Sequence, residues 1–149
     1  MLTMMLFGNA IVCPVGGGGL ISGIGARLKQ SFPAVKIIGV EPLESASMYE
    51  SLKRSAPFTL DRVGTFADGV AVRRVGDETF RVAREVVDDI ILVSTDEICA
   101  AIKDVFEDTR SVLEPAGALA LGLGHGVAVA QIEAQRLAVA GRFEEGRHR

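Results

Sequence analysis

The chain has 149 residues and 15.8 kDa, the size of one domain or a piece of one. Apolar residues make up 48% and charged residues 23%, which describes a globular chain and not a disordered one. Sixteen basic against 19 acidic side chains leave a net charge of −3, so no basic footprint for nucleic acid exists, and the apolar stretches fall short of the roughly 18–20 residues a membrane span needs.

The opening MLTMMLFGNAIV lacks a basic n-region and is interrupted by Gly8-Asn9. A signal peptide is not expected, and the cytoplasm is the expected compartment. Ala10 to Val15 is a short apolar run ending in glycines, the pattern of a buried strand, with Pro14 pointing to an edge or to the strand's last residues. From Leu20 to Phe32, apolar residues at Leu20, Ile21, Ile24 and Leu28 follow helical spacing, and Pro33 ends the run. Val35 to Val40 reads as a second strand. Strand, glycine turn, helix and strand make a βαβ unit with parallel strands and a right-handed crossover.

Glu44 to Arg54 is predicted as a helix, and Ala56 to Gly69 as an irregular stretch. Gly76 and Asp77 open another helix with Phe80, Ala83, Val86 and Val87 on one face, stopped by Asp88-Asp89. Ile90 to Val93 is a third buried strand. Ser94-x-x-Glu97 is a capping box, and Ile98, Ala101, Ile102, Val105 and Phe106 form the apolar stripe of the helix behind it. Pro115 suits the first turn of a further helix. The alternation predicts an α/β protein, a parallel sheet with flanking helices. Cys13 and Cys99 lack metal-type spacing and are expected to be small buried hydrophobes. His125 and His148 offer no zinc set.

Seventeen glycines exceed the usual ~7% share, and four are consecutive, Gly16 to Gly19. A strand running into glycines and then a helix turns successive N–H groups into one concavity beside the positive end of the helix dipole. Such a concavity takes an anion, most often phosphate. A tight packing turn would be explained by one or two glycines. A Walker loop is excluded, because Leu20 and Ile21 follow Gly19 where Lys-Ser/Thr is required. The dinucleotide fingerprint fails in its strict form, although Gly17-Gly19-Ser22 comes near it and Glu41 ends the second strand where a ribose-binding carboxylate would lie. A nicotinamide or flavin site and a compact monophosphate such as pyridoxal phosphate therefore both stand.

Five segments in register (VCPVGGGGLISGIGARLK, KIIGVEP, FADGVAVRRVGDETFRVAREVVDDI, STDEICAAIKDVFEDTR and EPAGALAL) resemble biosynthetic threonine dehydratase, a pyridoxal-phosphate enzyme of fold type II, the tryptophan synthase β-like fold. The resemblance covers about Ala10 to Leu121. It implies deamination of threonine to 2-oxobutanoate and ammonia on the way to isoleucine, with pyridoxal 5'-phosphate as the electron sink. It implies that Gly16, Gly17, Gly18, Gly19 and the Leu20 amide hold the cofactor phosphate. By the same resemblance Gly69 lies along the cofactor, Glu114 sits near the pyridine ring, and Ala116 and Gly117 line the pocket. Taken alone, Glu114 reads as a helix-N-terminal acid, and Asp68-Gly69 as turn residues. In racemase-like relatives the counterpart of Glu41 binds a divalent cation with groups four and six residues on. Those positions are Ser45 and Ser47 here, so no metal is assigned.

The resemblance also places the family's cofactor lysine in a Ser-Phe-Lys-x-Arg-Gly-like motif upstream of the glycine turn. Lys29, Lys36, Lys53 and Lys103 belong to other segments, so no catalytic residue is assigned. The family's Ser-Gly-x-Asn motif after a segment like AQRLAV is replaced by AGRFEEGRHR. The expectation is a partial catalytic domain over residues 1–141 with a charged tail over 142–149, inactive alone on threonine or serine. The alternatives are a dinucleotide-binding module and a non-catalytic partner of an intact paralogue. Homo-oligomers or association with such a paralogue are expected; nucleic acid and membranes are not.

Overall fold

The computed structural model describes residues 5–7 and 9–122. His125, His148, the position after AQRLAV, the boundary at residue 141 and the tail 142–149 lie outside the described residues.

Strand β1 (Met5–Phe7) runs antiparallel to β2 (Ala10–Pro14). Helix α1 (Gly19–Ser31) then crosses to β3 (Lys36–Pro42), which lies parallel to β2 with Ile11 opposite Ile37 and Val12 opposite Ile38. A 3-10 turn (Leu43–Ser45), α2 (Ser47–Arg54), a long connection and α3 (Asp77–Val86) lead to β4 (Asp89–Val93), parallel to β3. Helices α4 (Thr95–Thr109) and α5 (Pro115–Gly122) follow. The sheet order is β1-β2-β3-β4, so the parallel α/β architecture expected of the sequence is present. Pro14 closes β2, and β2 is an interior strand; of the two expectations for Pro14, the strand end holds.

Side-chain alternation along the strands feeds two cores. Val12, Val40, Ile91 and Val93 meet Ile98 and Ala101 of α4 and Ala116 to Ala120 of α5 on one face. Ile11, Cys13, Ile37 and Ile90 meet Ile21 of α1, Met48 of α2 and Phe80 and Ala83 of α3 on the other. Gly25 lets α1 approach α3, since a Cβ there would lie 2.5 Å from Val86 Cγ2. Asp88 ties the layers at the opposite end of the strands. It accepts from Lys29 Nζ at 2.7 Å, Lys36 Nζ at 3.0 Å and the Ile37 amide at 2.8 Å.

The capping box at Ser94 forms with both its bonds, Ser94 N–H to Glu97 at 2.7 Å and Glu97 N–H to Ser94 Oγ at 3.3 Å. Three local expectations are corrected. The helix from Glu44 splits into the 3-10 turn and α2, for a reason that lies with Glu41 below. Phe106, at the far end of the α4 stripe, is exposed, because no described element covers that turn. Cys99 is exposed while Cys13 is buried, since Cys99 follows Ile98 off the buried stripe. No helix among the described residues is long and apolar enough to cross a membrane.

Candidate functional site

The last bond holding β2 to its neighbour is Val15 N–H to the Val40 carbonyl, 2.9 Å. The chain then leaves the sheet, and the first bond of α1 runs from Ser22 N–H to the Gly18 carbonyl at 3.0 Å. The amides between those two points, Gly16 to Ile21, have no acceptor among the described hydrogen bonds. They border a cleft of about 160 Å³ at the carboxyl end of β2, lined by Pro14, Val15, Gly16–Ile21, Gly69 and Val70. Ligands in open α/β sheets bind at this end of the strands. No lining side chain is charged, so anion attraction would come from main-chain N–H groups and the positive end of α1. Whole ligand pockets run to roughly 300–1,000 Å³. This cleft therefore suits a phosphate-sized group and not a complete cofactor.

Packing explains some of the glycines and not others. Gly18 has φ +87°, and a Cβ there would strike Met48 Cε from behind the loop. A Cβ on Gly16 would lie 3.2 Å from Val70 Cα. Beside Gly17 and Gly19 a Cβ would meet nothing within 4 Å. Neither fold nor strain demands glycine at those two positions, and both border the cleft. Space kept open along a row of unpaired donors is what an anion cradle requires. The residues present therefore fit a phosphate.

Of the residues singled out in the sequence, Gly16, Gly17, Gly18, Gly19, Leu20 and Gly69 come together around the cleft. Gly69 is held against α5, where a Cβ would lie 3.0 Å from Ala116 Cβ. Glu114 stands outside the lining. It is exposed one residue ahead of α5, and its carbonyl accepts from Gly117 at 3.0 Å and Ala118 at 3.1 Å. All four lysines lie elsewhere: Lys29 and Lys36 on Asp88, Lys53 near Glu50, Lys103 near Glu107. No group of three His, Cys, Asp or Glu side chains gathers among the described residues.

Glu41 is wholly buried, and both its oxygens face inward. Oε1 accepts from the Met48 amide at 2.9 Å and Oε2 from the Tyr49 amide at 2.8 Å. Burial pushes its acid up to about 8, against the pull of these amides and that of Ser47. The Glu41 carboxyl group thus replaces a local cap at the start of α2, which is why that helix begins at Ser47 and not at Glu44. Engaged in this way, Glu41 offers nothing to a ribose, and the dinucleotide alternative loses its acid. Ser45 Oγ donates to the Gly64 carbonyl at 3.1 Å.

One contact could not be read from the sequence. Thr79 of α3 reaches back to the glycine loop, its Oγ1 2.7 Å from the Gly17 carbonyl oxygen. In the sequence it reads only as the third residue of a helix.

The family described as pyridoxal-phosphate dependent enzyme matches residues 8–144. Mitochondrial threonine dehydratase of Saccharomyces cerevisiae is 61% identical over 113 residues, 76% of this chain and 20% of that protein. L-threonine dehydratase biosynthetic IlvA of Escherichia coli is 52% identical over 131 residues, 87% of this chain and 26% of that protein. The processed form of threonine deaminase isoform 2 from Solanum lycopersicum superposes with TM-score 0.75 at 50% identity, covering 76% of this chain and 33% of that one. The chain spans only a fifth to a quarter of the length of these two curated relatives.

Proposed function

Because the chain belongs to the family of pyridoxal-phosphate dependent enzymes, we propose that it supplies the phosphate-holding part of a threonine ammonia-lyase, an enzyme that converts L-threonine to 2-oxobutanoate and ammonia. The observation that carries this is the row of amides from Gly16 to Ile21 without acceptors, at the start of α1 and along the cleft. The names of the relatives support threonine as the substrate; serine is its smaller analogue.

When bound, pyridoxal 5'-phosphate withdraws electrons from the substrate's α-carbon. The described residues bind and orient. Gly16 to Gly19 and the Leu20 amide donate to the phosphate oxygens. Gly69 and Val70 wall the cleft, with Gly69 held against Ala116 of α5; Glu114, Ala116 and Gly117 lie beyond that lining and would be the residues to face the rest of the cofactor. None of the four lysines, all among the described residues, lines the cleft, so no lysine of this chain stands where it would meet the cofactor's aldehyde or the substrate's α-proton. Residues 1–141 form part of one catalytic domain in this reading, with 142–149 a charged tail.

The test is titration of the purified 149-residue chain with pyridoxal 5'-phosphate, inorganic phosphate and, separately, NAD, while backbone amide shifts are followed. Shifts at Gly17 to Leu20 with the first two and none with NAD are expected. A response to NAD alone would overturn the reading. An assay for 2-oxobutanoate with added cofactor is expected to give no turnover above buffer.

A further inference from the structure

We infer that Thr79 is a positioning residue for the anion cradle, setting the direction of the Gly18 amide from behind the loop; this rests on the phosphate reading above. A run of four glycines is the one stretch of the chain where side chains say nothing about how each peptide plane is turned. Glycine tolerates both signs of φ, so the Gly17–Gly18 plane can rotate with little steric resistance. Something outside the loop must hold it.

Thr79 Oγ1 lies 2.7 Å from the Gly17 carbonyl oxygen and 3.0 Å from that of Gly76. The hydroxyl has one proton to donate. Gly76's carbonyl already accepts from Phe80 N–H at 2.9 Å, whereas the Thr79 hydroxyl is the described partner of Gly17's carbonyl. In a trans peptide the C=O and the following N–H point in opposite directions. Thr79 is not part of the cleft lining. A Gly17 carbonyl drawn toward α3 therefore turns the Gly18 N–H away from α3, to the side where the cleft opens. Thr79 is itself fixed from α1. Buried Ser22 donates its hydroxyl to the Thr79 carbonyl at 2.8 Å, so the helix that starts at the cradle also holds the residue that orients it.

Thr79→Val keeps the shape and removes the hydroxyl; Thr79→Ser keeps the hydroxyl. The 149-residue chain and both variants are titrated with inorganic phosphate, following amide shifts, and melted without ligand. Thr79→Val is expected to bind phosphate about tenfold more weakly and to lose the Gly18 amide response, with Thr79→Ser close to wild type. Unchanged affinity in Thr79→Val, or an equal loss in Thr79→Ser, would overturn the inference. Should Thr79→Val fail to fold, the wild-type titration decides: the Gly18 amide must move downfield with phosphate, and a static Gly18 between moving neighbours refutes the role. A wild-type chain with no response to phosphate at any of these amides removes the cradle reading and this inference with it.

Discussion

Alanine at Gly19 separates ligand from fold. Gly19 is the first residue of α1, its φ is not positive, and a Cβ there would meet nothing within 4 Å. Alanine is a better helix former than glycine by about 0.8–1 kcal/mol in a helix interior, and somewhat less at the first turn. The variant should therefore gain about 0.5–1 kcal/mol, a rise of roughly 2–4 °C in a chain of this size. The added methyl enters the space along the unpaired amides. Displacing the phosphate from one charge-assisted hydrogen bond forfeits about 1.5–3 kcal/mol, on the order of 10–100-fold in affinity. Gly18→Ala gives the opposite contrast. Its φ of +87° and the Met48 methyl behind it make the substitution cost stability, about 1–2 kcal/mol from the left-handed backbone alone. Thermal unfolding and a phosphate titration on the same samples measure both quantities. Gly19→Ala binding phosphate as tightly as wild type would show that the space beside Gly19 is not kept for a ligand.

Glu41 makes stability depend on pH. Its folded-state value of about 8 lies above the ordinary 4.5, so between those values the folded chain keeps a proton that the unfolded chain has lost. Glu41's contribution to stability is thus fully present below about pH 4.5 and is lost as pH rises toward 8, by at most roughly 4–5 kcal/mol at about 1.36 kcal/mol per pH unit. Urea midpoints from pH 5 to 8.5 check this; Glu41→Gln should flatten the slope, and a flat wild-type profile would show a carboxylate ionised throughout. Gly25→Val wedges α1 from α3, with a loss of about 1–3 kcal/mol that Val86→Ala should partly restore in a double-mutant melt. Ser94→Ala removes the capping hydroxyl of α4 and should cost about 1 kcal/mol in denaturant midpoint without altering phosphate affinity.

The parallel strands were legible because each is a short apolar run bounded by glycine, proline or acid. The capping box was legible because both its partners lie within four residues. What the sequence concealed acts over distance. Glu41 looks like a free acid at a strand end until α2 folds back over it. Phe106 completes a periodic stripe, but periodicity cannot say where the covering layer stops. The glycine loop could be read as an anion site from composition and order alone. Its support could not, because Thr79 stands 62 residues from Gly17 and reaches it only through the packing of α1 on α3.

A cleft whose lining carries no ionisable side chain has a consequence for how it responds to acid. Lowering the pH changes nothing on the protein side of the contact. Any titration of affinity belongs to the ligand, whose phosphate dianion takes up a proton near pH 6. Recognition of this kind is also indifferent to most side-chain drift. It is written in the path of the main chain and in the space kept open beside it, so it persists while most surrounding letters change and fails when that path is bent or that space is filled.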